Sequence, residues 1–302
     1  MPPERVGFVG LGNMGAPMAG HLAAAGYRVV AADANAATLD RFCSRVQCER
    51  ASSMRDMASS CRLIITMLPD GKAVQQVLLG PQGIAATLAP GSVVLDMSSS
   101  APVGTRELQR QLAHSNVSLV DAPVSGGTAG AAAATLTFMV GGEASAFSRA
   151  QPILEAMGRT IVHTGPAGNG QAVKICNNML LAVSMIGVCE ALTLGQQLGL
   201  APQTLFDVVS KSTGQCWALT GYCPVPGPVP SSPANRDYAA GFTAAMMLKD
   251  LRLAQQAAGA TAAPTPMGAA AAAFYQLFVD QGAGGLDFSA IYRFIAKPDR
   301  KI

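Results

Sequence analysis

At 302 residues the chain exceeds the usual size of one hydrophobic core, so two domains are expected. Half of the residues are apolar and only 13% are Asp, Glu, Lys or Arg, a balance that favours large buried layers and a covered subunit surface over the charged skin of a lone monomer. Twenty-one basic against eighteen acidic side chains give a net charge of +3 with no basic block and no aromatic-interleaved patch, which argues against nucleic acid as a partner.

In chain order, "RVGFVGLGNMGAPMAGHLAAAGYRVVAADA" reads as strand, glycine turn, helix and strand. Val6, Phe8 and Val9 fill a short buried strand, residues 14–25 form an alanine-rich helix, and residues 27–32 form the next strand. "LIITMLP" (63–69) and "SVVLDMS" (92–98) repeat the pattern of an apolar strand ending in polar or proline residues, with helices expected over 72–79 and 102–113. "SLVDAPVSGG" and "LTFMVGG" add two strands, and "TIVHTG" (160–165) a further one. Residues 1–164 are therefore expected to form an α/β Rossmann-type domain with a mostly parallel sheet.

From Gly165 the β-branched runs vanish, and residues 165–302 are expected to form an all-helical domain. Helical spacing covers 170–198, 202–210, 240–260, 266–281 and 287–295, the first being a long helix that starts at the interdomain junction. The proline-rich stretch 214–238 carries the single tryptophan, Trp217, and reads as a functional loop.

"GLGNMG" (Gly10, Leu11, Gly12, Asn13, Met14, Gly15) places glycine at the first, third and sixth positions. Such a turn lets the chain reverse tightly, approach a pyrophosphate and pack a helix on its strand, with the first helical amides facing the phosphates. The turn follows a strand, opens a helix and is followed eighteen residues after Gly15 by Asp33 at the end of the second strand. A carboxylate there accepts both ribose hydroxyls of NAD and repels a 2′-phosphate, and "ANAATLD" offers no Arg to meet one. NAD is favoured over NADP, and FAD uses the same turn.

Ligands of open parallel sheets sit beyond the carboxyl ends of the strands. Leu68-Pro69, Ser98 to Ser100, and Ser125-Gly126-Gly127 arrive there. Each alone is ordinary turn chemistry. The serine and two glycines also suit a small carboxylate through successive amides and a hydroxyl.

Lys174 is nearly the only charge in the apolar run "GNGQAVKICNNMLLAVS", with Asn177 beside its face and Asn178 one turn on. A lysine at a helix start can simply reach for solvent. A lysine with two asparagines in an apolar stretch also suits proton exchange with a carbonyl or hydroxyl, because unpaired polar groups there are costly. Lys249 and Asp250 in "MMLKDLRLAQ" are either a solvated helix edge or part of the same site.

The seven cysteines follow no CxxC or Cys/His spacing and the three histidines are scattered, so reduced thiols and no protein-built metal site are expected. The opening "MPPERVGFVG" shows no apolar leader core, which points to the cytoplasm. The alanine-rich runs break off short of the ~20 residues a membrane span requires, so no membrane partner is expected.

Over essentially its whole length the sequence resembles the 3-hydroxyacid dehydrogenases related to 6-phosphogluconate dehydrogenase, the 3-hydroxyisobutyrate dehydrogenases above all. "VGFVGLGNMGAPMAGHL" is similar to the family's opening signature, "DAPVSGG" to its substrate-binding segment, "GNGQAVKICNN" to its catalytic segment, and "GFTAAMMLKDLRLA" to its cofactor-side helix. The resemblance implies a catalytic lysine at Lys174, substrate contacts at Ser125, Gly126, Gly127 and Asn178, and cofactor contacts at Leu68, Pro69, Ala73 and Ser99. It places Lys249 on the nicotinamide side, touching cofactor and substrate, with Phe242 in the same segment. It implies homodimers or homotetramers assembled through the helical domain.

The loop "STGQCWALTGYCPVPG" resembles that of 3-hydroxyisobutyrate dehydrogenases, with Trp217 set to contact substrate. A wall of Trp, Tyr and Pro favours a methyl-bearing substrate over a hydroxyl-bearing one, by only ~1 to 3 kcal/mol. Met97 and Ala101 depart from the family pattern. The implied reaction is the reversible oxidation of 3-hydroxyisobutyrate to methylmalonate semialdehyde in valine breakdown. It needs a neutral Lys174, which asks its surroundings, desolvation and Lys249 among them, to favour the base form. The alternatives are a reductase of tartronate or succinic semialdehyde, a dehydrogenase of L-serine, and a non-enzymatic NAD-binding regulator. Relatives of the last kind lose the lysine, which is present here.

Overall fold

The short apolar runs become strands buried on both faces, as a parallel sheet requires. In the computed structural model, which describes residues 4–296, β1 (Arg5–Val9) leads into α1 (Gly15–Ala24), β2 (Arg28–Ala32), α2 (Ala36–Cys43), β3 (Glu49–Arg50) and α3 (Met54–Ser60). The first three residues of the opening segment lie outside that range. β4 (Leu63–Thr66), α4 (Gly71–Leu79), β5 (Val93–Asp96), α5 (Pro102–Ala113) and β6 (Ser118–Asp121) follow. The six strands lie in the order β3-β2-β1-β4-β5-β6, all parallel, with β1 between β2 and β4. The crossover beside β1 makes this a doubly wound Rossmann sheet.

"SLVDAPVSGG" is not one strand. β6 stops at Asp121, and β7 (Val124–Ser125) belongs to a second sheet, antiparallel to β8 (Leu136–Val140), which pairs in parallel with β9 (Gly158–His163). Ala122-Pro123 separates the two strands, and proline lacks the N–H that a continuing ladder would use. Helices α6 (Gly127–Ala132) and α7 (Ala144–Glu155) complete this part. Phe8, Met18, Leu22, Ile65, Leu95, Phe138 and Leu154 share one core, and fully burying each such side chain is worth about 1.5–3 kcal/mol.

The chain divides into two compact units, residues 1–174 and 175–302. α8 (Asn169–Gln197) begins in the first and continues into the second. The second unit then runs through α9 (Pro202–Val209), α10 (Trp217–Thr220), α11 (Ala244–Thr261), α12 (Pro266–Asp280) and α13 (Ile291–Ala296). Ala182, Met185, Cys189 and Leu192 of α8 recur at three- and four-residue steps and pack with Met247 and Leu251 of α11 and Tyr275 and Phe278 of α12. By length and composition α8 could cross a membrane, but these positions make it a core helix of this unit.

The expected loop at 214–238 is structured by its own polar groups. It holds α10 and a 3₁₀ turn at Pro233–Arg236, while Ser232 Oγ donates to Cys223 O at 2.6 Å and Tyr238 Oη to Pro224 O at 2.7 Å. The cysteines also differ from expectation. Cys43 and Cys48 form a disulfide with Cα atoms 5.6 Å apart, joining the end of α2 to the approach of β3. Their positions in sequence carry no such signal, because pairing depends on how the intervening turn brings the Cβ atoms together.

Candidate active site

Within the first unit, the ends of β1, β4, β5 and β6 carry the polar turns. Gly10 has φ +98°, and a Cβ there would meet Met67 O at 2.3 Å; one on Gly15 would meet Gly10 O at 1.9 Å. Both positions therefore exclude a side chain, while Gly12 is exposed and has open space where its Cβ would be. Leu11, Asn13 and Met14 carry the chain from this turn toward the start of α1, whose first amides have no side-chain cap. Leu11 N–H donates to Asp33 Oδ2 at 2.7 Å, and Asn35 N–H to Asp33 Oδ1 at 2.8 Å. The carboxylate is thus fixed at the end of β2 with acceptor capacity left on both oxygens. This arrangement fits a dinucleotide: an open approach to the backbone for phosphates and a held carboxylate for a ribose diol.

The next turns are tied to one another. Leu68 N–H donates to Ser98 Oγ at 2.9 Å, and Ser98 N–H to Asp96 Oδ1 at 3.0 Å, while Thr66 Oγ1 donates to the same oxygen at 2.8 Å. Pro69 follows, and Ala73 N–H caps on Asp70 Oδ1 at the start of α4. Ser99 is half-buried between two buried serines. Burial pushes the Asp96 carboxyl up to about 6, against the lowering effect of its Ser98 and Thr66 hydrogen bonds and with the charge of Asp121 adding to the rise. Ser125, Gly126 and Gly127 run from β7 into the start of α6, with Gly126 at φ +130°.

The start of α8 is held by groups that the sequence reading did not single out. Asp121, buried at the end of β6, accepts Gly168 N–H at 2.7 Å on Oδ1 and Gln171 N–H at 2.9 Å on Oδ2. Burial raises its carboxyl to about 6, opposed by those backbone hydrogen bonds. A Cβ on Gly170 would meet Met139 O at 2.2 Å, so only glycine allows this approach. The Gln171 side chain, fully buried, donates to Ser98 O at 2.7 Å and accepts Ser100 N–H at 2.9 Å. Lys174, one turn later, is buried. The available signal was an Asp in an otherwise apolar strand and a Gln in an apolar helix, since a buried polar group needs partners.

Within the second unit, Asn178 Nδ2 donates to the buried Asp250 Oδ2 at 2.5 Å and Asn177 Nδ2 to Asn178 Oδ1 at 3.0 Å. Because a carboxylate only accepts, Asp250 fixes which way the Asn178 amide faces. Lys249 Nζ lies 3.5 Å from Asp250 Oδ1, an ion pair on α11. In the sequence Asp250 stands out only as a neighbour of Lys249. Phe242 packs edge-on to Phe288, which stacks on Tyr222, which stacks on Trp217 with ring centroids 5.1 Å apart. Trp217 keeps 55% of its surface exposed. Tyr222 Oη donates to Asp287 Oδ2 at 2.9 Å, and burial lifts the phenol far above its usual range.

A doubly wound sheet with this glycine turn and this carboxylate defines an NAD-binding protein, and the family matches make it an oxidoreductase. Residues 5–165 match the family described as the NAD binding domain of 6-phosphogluconate dehydrogenase, and residues 168–295 the family described as NAD-binding of NADP-dependent 3-hydroxyisobutyrate dehydrogenase. The chain belongs to the 3-hydroxyisobutyrate dehydrogenase family, whose members act on a CH–OH group with NAD(P). It is 46% identical to the NAD-dependent L-serine dehydrogenase of Pseudomonas aeruginosa, over 96% of this chain and 97% of that protein. It is 43% identical to the 3-hydroxyisobutyrate dehydrogenase of the same species, over 97% and 99%. A solved structure of Mycobacterium tuberculosis 3-hydroxyisobutyrate dehydrogenase with L-serine superposes with a TM-score of 0.92 at 43% identity, covering 97% of this chain and 99% of that one.

Proposed function

We propose that the chain catalyses the reversible, NAD-dependent oxidation of 3-hydroxyisobutyrate to methylmalonate semialdehyde in valine catabolism. The observation that carries this reading is the buried Lys174 on a helix whose first turn is hydrogen-bonded to the strand-end turns of the NAD-binding unit. Ser125, Gly126 and Gly127 receive the substrate carboxylate on backbone amides and a hydroxyl. Lys174 takes the proton of the C3 hydroxyl in oxidation and returns it in reduction. Asn178, oriented by Asp250, holds that hydroxyl, and Lys249 and Trp217 border the substrate. NAD, when bound, supplies the acceptor for the hydride leaving C3. Gly10 to Gly15, Asp33, Leu68, Pro69, Ala73, Ser99, Phe242 and Lys249 are its proposed contacts.

L-Serine is the second reading, favoured by the 46% identity to an L-serine dehydrogenase. The two substrates share a carboxylate and a CH₂OH and differ at C2, where methyl replaces ammonium. The deciding feature is therefore whether the wall around C2 is apolar, and the Trp217–Tyr222–Phe288 stack supports the methyl. Initial rates with 3-hydroxyisobutyrate, L-serine, D-glycerate and 4-hydroxybutyrate, each with NAD and NADP, test the choice. The highest kcat/KM is expected for 3-hydroxyisobutyrate with NAD; a clear preference for L-serine would replace that reading with the second.

A homodimer or homotetramer through the helical unit is part of the proposal. Leu180, Leu194, Leu198, Met267 and Leu277 expose large apolar side chains there, which supports a covered face. Light scattering of the purified protein gives the mass directly, and a monomer at micromolar concentration would remove this part.

A further inference from the structure

The first turn of α8 is gripped twice. Asp121 takes the backbone N–H of Gln171, and the Gln171 side chain takes the main chain at Ser98 and Ser100. Both side-chain bonds fall on either side of Ser99, so a single amide clamps one residue of the β5 turn from its two neighbours. The same turn receives Leu68 N–H on Ser98 Oγ, which links the β4 turn into the network. Gln171 is fully buried, and each end of its amide has a partner of the matching polarity, a donor against a carbonyl and an acceptor against an N–H.

We propose that Gln171 is a positioning residue for the reaction, setting the helical turn that bears Lys174 against the turns that face the cofactor. The inference rests on the reading of Lys174 as the proton carrier. Lys174 lies three positions along the helix from Gln171, so the clamp fixes the height and rotation of the lysine's backbone relative to Ser99. A displacement of about 1 Å between reacting groups can cost on the order of a hundredfold in rate. Gln171 touches neither reacting atom; it acts through Lys174 and Ser99.

Two substitutions separate this role from simple core filling. Gln171→Met keeps length and apolar bulk but removes both hydrogen bonds. Its kcat is expected to fall about 10- to 100-fold, with KM for the hydroxyacid within about threefold of wild type. In the protein without NAD, amide exchange at Ser100 is expected to speed up by about tenfold or more. Gln171→Glu can accept from Ser100 N–H at any pH but can donate to Ser98 O only while protonated. The ratio of its kcat to that of wild type is therefore expected to fall about tenfold between pH 6 and pH 9. A kcat for Gln171→Met within about threefold of wild type, or a Gln171→Glu ratio that stays near one up to pH 9, overturns the proposal. If Gln171→Met does not fold, the pH ratio of Gln171→Glu decides. Lys174→Ala run alongside keeps the two readings apart: an active Lys174→Ala defeats the proton-carrier assignment, whereas an inactive one with unaffected Gln171 variants defeats only the clamp.

Discussion

Leu11 N–H points at Asp33 Oδ2 across 2.7 Å, so the glycine turn after the first strand is fastened to the end of the second by the carboxylate proposed to read the cofactor's ribose. One side chain thus shapes the glycine turn and, in the proposed function, also selects the nucleotide. Asp33→Ala is expected to weaken NAD at least about tenfold, in line with the ~1.5–3 kcal/mol of a hydrogen bond to a charged group, and NADP much less. Fluorescence titration with both nucleotides measures this, and an unchanged NAD/NADP ratio would remove the basis for cofactor choice.

Lys174→Ala is expected to reduce kcat by about a thousandfold or more while leaving the Kd for NAD within about threefold. Turnover within about tenfold of wild type would show that another group moves the proton.

Asp96 sets a pH dependence of stability opposite to that of a salt-bridged carboxylate. Its folded carboxyl titrates near 6, above the ordinary value of 3.8, so between those values the folded state binds more protons than the unfolded one. Its contribution to stability is therefore fully present below about pH 4 and is lost as pH rises to about 6. Asp96→Asn retains an oxygen for Thr66 Oγ1 and Ser98 N–H and removes the buried charge. Its Tm is expected to exceed that of wild type at pH 8, by an amount worth up to about 3 kcal/mol, with the difference shrinking toward pH 4. A gap that widens on acidification would contradict the sign.

Asp287 is buried and accepts from Tyr222 Oη, the N–H groups of Gly241 and Phe242, and both the N–H and the hydroxyl of Ser289. Asp287→Ala leaves the buried Ser289 donors and three part-buried ones without an acceptor, at about 1–3 kcal/mol for each fully buried donor. Urea unfolding is expected to show a loss of about 3 kcal/mol or more in the helical unit, and Tyr222→Phe a smaller one of about 1 kcal/mol. Equal losses for both variants would show that the phenol alone carries the effect.

Much of the fold was legible because its signals are local. "VGFVGLGNMG" joins an apolar strand to glycines that only a tight turn explains, and "LIIT" and "VVLD" are too short and too apolar for anything but buried strands. The helical spacing of residues 170–198 predicted α8 within a residue at each end. The break inside "SLVDAPVSGG" was harder to see, because a proline two residues after a strand can end it or edge it, and only the second sheet decides which.

By itself the sequence determined the central strands and the long helices, the glycine turn with its carboxylate, and an isolated lysine in an apolar helix, because each depends on residues within a few turns of one another. The tertiary structure decided what those residues hold. Asp121 reaches Gly168 and Gln171 across about fifty positions of chain, Gln171 reaches Ser98 and Ser100 across about seventy, and Asn178 meets Asp250 across seventy-two. Such pairs leave no period or spacing in the sequence, since their partners are chosen by which strand ends and helix turns the packed core brings within hydrogen-bond reach.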